Sequence, residues 1–175
     1  MLLAPLMVLA VTTVGCTERI ETGRASAEQR REAQRASIFL PDVRFWGLRQ
    51  WRTHEFEPGG GPDGGDEVVK AAISVRSPGP ATVKVAPEDR EWVALDYDRE
   101  RWRERGRTVA GGQTSVRFQS CDPKTPRFGG RGHVGRWTAW AGGLLVAREG
   151  CATLLVRARG ERDWRRVPVE LGADC

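Results

Sequence analysis

The chain has 175 residues, 39% hydrophobic and 29% charged, with 21 glycines, 7% aromatic residues and a formal net charge of +5. This length allows one domain with a real core plus a short extension, and the glycine content disfavours long helices. The basic excess lies in residues 114–175, with 11 basic against six acidic side chains, and all basic residues except Lys70, Lys84 and Lys124 are Arg. An Arg-for-Lys bias is a compositional habit, so location says more about anion binding than number does.

In chain order, residues 2–15 form an uncharged run. Fourteen residues are too few to cross a bilayer core as a helix. The run fits the apolar part of a signal peptide that ends in small residues. Its end, Thr13-Val14-Gly15-Cys16, resembles a bacterial lipobox, with Thr13 where Leu is usual. The resemblance implies cleavage before Cys16, a lipid on that residue, and attachment to the membrane. Two or three acyl chains, palmitate among them, hold a protein stably where one does not. Residues 1–15 are accordingly expected as the signal peptide, 16–37 as the lipidated N-terminus and polar linker, and 38–175 as the folded domain. Cleavage without lipidation, giving a secreted protein, is the alternative.

Residues 17–37 carry little apolar content, and the Glu28/Arg31 and Glu32/Arg35 pairs support at most a solvated helix. The domain begins with a strand about Val43–Trp51. The glycine- and proline-rich residues 57–66 can only be a loop. Val68–Val75 then alternates, Ser77-Pro78-Gly79-Pro80 turns the chain, and Ala81–Val85 returns as a hairpin partner. Val93–Tyr97 is a fourth strand, and Asp98–Arg107 a short helix or exposed crossover. Ser115–Ser120 and Trp140–Val146 follow, the latter carrying Gly142-Gly143, the mark of a bulge or of a close backbone approach. Ala152–Ala158 and Val167–Leu171 close the chain as a hairpin, with Pro168 placing the last strand at an edge. About eight strands read as an all-β fold, a single antiparallel β-sandwich of the immunoglobulin-like class, with a half-open barrel as runner-up.

With Cys16 lipidated, Cys121, Cys151 and Cys175 form an odd set in an oxidising compartment: one disulfide and one spare thiol. The final hairpin brings Cys151 roughly opposite Leu171, so Cys151–Cys175 is the favoured pair and Cys121 the competitor for either.

No catalytic signature stands out. Cys121 with His133 is the one conceivable nucleophile and base, and a structural Cys121 is the simpler reading. Asp96 and Asp98 are where an acidic enzyme site would have to lie. The Asp63–Glu67 loop offers oxygen ligands without the rhythm of a calcium-binding loop, so no metal and no cofactor are assigned. Arg157 and Arg159 share a strand face, and a hairpin partner places Arg166 beside them, making these three the anion-binding candidates. Trp137, Trp140 and Trp164 are either core anchors or a stacking platform, with core the simpler role; Trp46, Trp51 and Trp92 are read the same way.

The leader with Cys16, together with the Gly142-Gly143-Leu144-Leu145-Val146 and Gly150-Cys151 segments, resembles uncharacterised secreted proteins and lipoproteins of high-GC Gram-positive bacteria. The resemblance implies location: the cell membrane, on its extracellular face. The expectation is a non-enzymatic envelope lipoprotein, tethered through lipid on Cys16. Its partner would be an envelope protein or an anionic wall polymer, and not nucleic acid. An envelope enzyme and a purely structural surface module are the rivals.

Overall fold

The computed structural model describes residues 11–20, 27–57, 59–61, 64–128 and 132–175. Residues 1–10 of the expected leader, and Asp63 of the glycine-rich loop, lie outside the described residues. The described elements are β1 (Thr12–Val14), α1 (Ala27–Arg35), β2 (Ile38–Phe39), β3 (Val43–Trp46), β4 (Glu67–Lys70), β5 (Ala72–Arg76) and β6 (Ala81–Val85). They continue with β7 (Val93–Asp96), α2 (Arg99–Arg105), β8 (Ser115–Phe118), β9 (Trp137–Trp140), β10 (Gly143–Val146), β11 (Gly150–Ala158) and β12 (Arg165–Leu171). No described helix is long and apolar enough to cross a membrane.

The fold is mostly β, as the alternations imply, but the strands form three sheets: β1-β8-β6-β11-β12, β2-β3-β5-β9 and β4-β10-β7. The expected single sandwich of about eight strands is therefore not what the strand count gives. Two long alternations each split in half. Val68–Val75 breaks at Ala71 into β4 and β5, and Trp140–Val146 breaks at Ala141 and Gly142 into the ends of β9 and β10. The halves stay paired across the break, β5 with β9 and β4 with β10, and Ala71 N–H donates to Gly142 O at 2.9 Å. A bent two-stranded ribbon thus joins two sheets.

The expected hairpin between Val68–Val75 and Ala81–Val85 does not form. Instead β6 leaves for the five-stranded sheet, where it pairs with β8 and β11. The Ser77–Pro80 segment docks on the end of β8: Gly79 N–H donates to Ser120 Oγ at 2.6 Å and Ser77 Oγ to Cys121 O at 2.8 Å. The first strand is also shorter than expected. Gly47, at φ +78°, turns β3 into a short 3-10 helix over Leu48–Trp51. The β11–β12 hairpin follows the sequence reading, with β12 at the sheet edge and Cys151 opposite Glu170, one position from Leu171.

Residues 12–20, read from sequence as leader and tether, belong to the folded unit. The β1 strand runs parallel to β8, Thr12 to Val116 and Val14 to Phe118. Val14 is buried in the core, and its carbonyl accepts Gln119 N–H at 2.9 Å. The buried Trp140 donates its indole N–H to Gly15 O at 2.8 Å, and Ile20 bridges to Ala139. The β-branched run Thr12-Thr13-Val14 was the available sequence signal for this strand. One hydrophobic core collects Phe45, Ile73, Leu95, Phe118, Trp140 and Leu154 from all three sheets.

Candidate functional site

Cysteine pairing fixes the N-terminal segment. Cys16 and Cys121 are joined, S–S 2.07 Å, as are Cys151 and Cys175, and no cysteine is free. The favoured Cys151–Cys175 pair is present; the spare thiol expected at Cys121 is not, because Cys16 takes it. A sulfur in a disulfide has no valence left for a thioether, so this bond and a lipid on Cys16 exclude each other. Cys121 likewise has no thiolate to offer His133.

Beside that disulfide lies a small crevice of about 200 Å³ on the outer side of the β2-β3-β5-β9 sheet. Along β3, Val43 and Phe45 enter the core while Arg44 and Trp46 stay half-exposed, the period-two alternation of a strand with one buried face. The Arg44 guanidinium carbon sits 3.7 Å from the centroid of Trp137 and 5.7 Å from that of Phe39. Trp46 is held by its indole N–H on Ser74 Oγ at 2.8 Å. Arg19 and Arg127 complete the charged lining. Arg19 Nη1 and Nη2 donate to Cys16 O and Pro126 O at 3.0 and 2.9 Å, its guanidinium stacks on Phe128 at 4.0 Å, and Arg127 Nε donates to His133 O at 3.0 Å. Burial, with Arg76 nearby, holds the Arg44 guanidinium below its ordinary pKa. Among the described residues no carboxylate lines the crevice, and those that do line it present positive charge on aromatic faces, an arrangement suited to a small anion.

The three arginines singled out from sequence do not converge in this way. Arg157 stacks on Trp164 at 4.5 Å, alongside Lys84 at 4.6 Å. Arg166 lies opposite Leu155 and pairs with Glu88 at 2.6 Å, which neutralises it. Arg159 lies past the end of β11 and lines a separate hollow with Asp42 and Arg76. Sequence reasoning missed Arg44, although its place between Val43 and Phe45 was a legible signal. The tryptophans divide by role: Trp92 and Trp140 are core, whereas Trp46, Trp137 and Trp164 remain half-exposed, the last two stacking with cations.

A larger cleft of about 700 Å³ opens beside the β4-β10-β7 sheet and gathers Asp96, Asp98, Glu67, His54, Lys70 and Arg107. His54 Nε2 and Glu67 Oε2 are 2.7 Å apart, with the imidazole edge-on to Trp51 and Phe56. The carboxyl of Asp96 is only 8% exposed, and its nearest charge partner, Arg107 Nε, is at 3.9 Å, beyond hydrogen-bond reach. Burial raises its pKa above the ordinary Asp value, Arg107 pulls it partly back and Asp98 adds to the rise. Its proton is therefore bound more tightly in the folded than in the unfolded chain. That contribution to stability is complete below the unfolded value, about 3.9, and is lost as pH rises through the raised one. Asp96→Asn should raise stability at pH 7, with the gain vanishing near pH 3. Thermal melts at the two pH values measure this, and a lower Tm at pH 7 would contradict it.

No family model, curated protein or solved structure matches this chain. Its function is therefore read from the geometry of these sites.

Proposed function

We propose that the chain is an exported envelope protein whose β-rich domain is a non-enzymatic binding module for an anionic envelope component, a phospholipid headgroup or wall polymer, taken at the Arg44 crevice. The observation that carries this reading is the Arg44 guanidinium stacked 3.7 Å over Trp137 in a hollow lined, among the described residues, by two further arginines and no carboxylate. An anion entering there accepts charge-assisted hydrogen bonds, roughly twice as strong as neutral ones. Export is supported by the pairing of all four cysteines, which suits an oxidising compartment. A sandwich-like arrangement, the five-stranded sheet facing the other two, is supported by the single core drawn from all three.

Attachment follows the chemistry of one sulfur. Lipid on Cys16 belongs to a form in which Cys121 has not captured that thiol, anchored on the extracellular face of the cell membrane; the disulfide-bonded form is the secreted one. Intact-mass analysis of native protein separates a diacylglycerol adduct on Cys16 from a Cys16–Cys121 crosslink.

The anion reading is tested by sedimenting the full chain with phosphatidylglycerol or phosphatidylcholine vesicles. Binding is expected to the anionic vesicles only, to weaken with salt, and to fall roughly tenfold in Arg44→Ala. Equal binding to neutral vesicles, or an unaffected variant, would sink the proposal.

A further inference from the structure

The cleft around Asp96 lies beside a different sheet from the Arg44 crevice and has different chemistry. We infer that it is a binding site for a neutral polyhydroxylated ligand, a short oligosaccharide. Its volume of about 700 Å³ is that of a small-molecule site. In register, Lys70 on β4 and Asp96 on β7 both lie opposite Gly143 of β10. Residues paired in this way project to one face of a sheet. The cleft therefore carries an ammonium and a carboxylate from the two strands that flank β10. Gly142 adds to the same lining.

Two polar groups there are available to a ligand. The Asp96 side chain is 8% exposed, and its ion-pair partner Arg107 stands 3.9 Å away, beyond hydrogen-bond reach. Trp51, which lines the same cleft, leaves its buried Nε1–H without an acceptor. Withdrawing such groups from water is unfavourable until a partner supplies the missing bond. The ligand must therefore donate to one group and accept from the other.

Charge narrows the class. A phosphate would face the carboxylates of Glu67, Asp96 and Asp98, and a cation would meet Lys70 and Arg107. A sugar hydroxyl donates and accepts alike, which matches a lining of mixed sign. Trp51 supplies aromatic surface for the apolar face of a sugar ring. His54 is held by Glu67 and by flanking rings, so one wall is already ordered before a ligand arrives.

The test is calorimetric titration of the full chain with three neutral trisaccharides (chitotriose, cellotriose and maltotriose), with fully deacetylated chitotriose as the cationic control and trigalacturonate as the anionic one. At least one neutral sugar should bind saturably and at least tenfold more tightly than either charged control. Asp96→Ala and Trp51→Phe should each weaken it by roughly tenfold, while Arg44→Ala leaves it unchanged, which separates this site from the anion crevice. No saturable binding of any neutral sugar, tighter binding of a charged control, or full affinity in Asp96→Ala and Trp51→Phe proteins that melt cooperatively would overturn the inference.

Discussion

Replacing Cys16 and Cys121 together by Ser should lower stability by about 4–5 kcal/mol, the entropy that a crosslink of this span removes from the unfolded chain. The two cysteines are 105 residues apart, against 24 for Cys151 and Cys175. The same replacement in the shorter loop should cost about 3 kcal/mol, so the order of the two effects is itself a prediction. In a domain of this size the longer crosslink corresponds to roughly 10–20 °C of Tm. The loss extends beyond chain entropy. Releasing Cys16 loosens Val14 from the core and Gly15 O from the Trp140 indole, and it frees Arg19, which borders the crevice. Thermal melts of the two double variants and non-reducing peptide mapping measure this. Melting of the Cys16/Cys121 variant within about 2 °C of the parent would show that residues 12–20 are not part of the cooperative unit.

Gly143→Ala is expected to be nearly as damaging, at about 3 kcal/mol or more. A Cβ at this position would stand 1.9 Å from Val69 O and 2.9 Å from Val69 C, both backbone atoms of the paired strand. No side-chain rotation relieves such a contact, so β4 and β10 must separate at the point where the ribbon bends. Gly142→Ala meets the Tyr97 ring at 2.2 Å and Asp96 O at 2.5 Å. Tyr97 has little room to retreat, because its hydroxyl donates to Ala71 O at 2.5 Å and its ring stacks edge-on to Phe118. Gly160→Ala is a control of a different kind, at φ +82° in the left-handed region with open space around it; it should cost only about 1 kcal/mol, the strain of that region. Denaturant melts of the three variants rank them, and equal losses would show that close backbone approach is not what the glycine pair provides.

Local pattern was enough for much of the β structure. Val93–Asp96, Ser115–Phe118 and the final hairpin are strands in which alternation, turn glycines and Pro168 all agree, so each could be read without knowing its neighbours. The same local logic reached the Cys151–Cys175 bridge, since a hairpin carries its own geometry. It also marked Gly142-Gly143 as a place of close approach, and it singled out Asp96 and Asp98 as the acidic pair to watch.

Long-range pairing was not available to that logic. An alternating run such as Val68–Val75 has the same period of two whether it serves one sheet or bends between two. Only the packing of Gly142 and Gly143 against Val69 and Tyr97 decides for the bend. Likewise Thr12-Thr13-Val14 is apolar enough for a leader and β-branched enough for a strand, and the choice depends on β8 and Cys121, more than 100 residues away. Arg44 with Trp137, His54 with Glu67, and Lys70 with Asp96 across Gly143 come from segments far apart in the chain. The sequence by itself determined which residues face inward and where the chain turns, because those depend on neighbours a few positions away. Which strands meet, which sulfurs pair and which charges share a cleft were decided by the tertiary structure, through contacts that no local periodicity encodes.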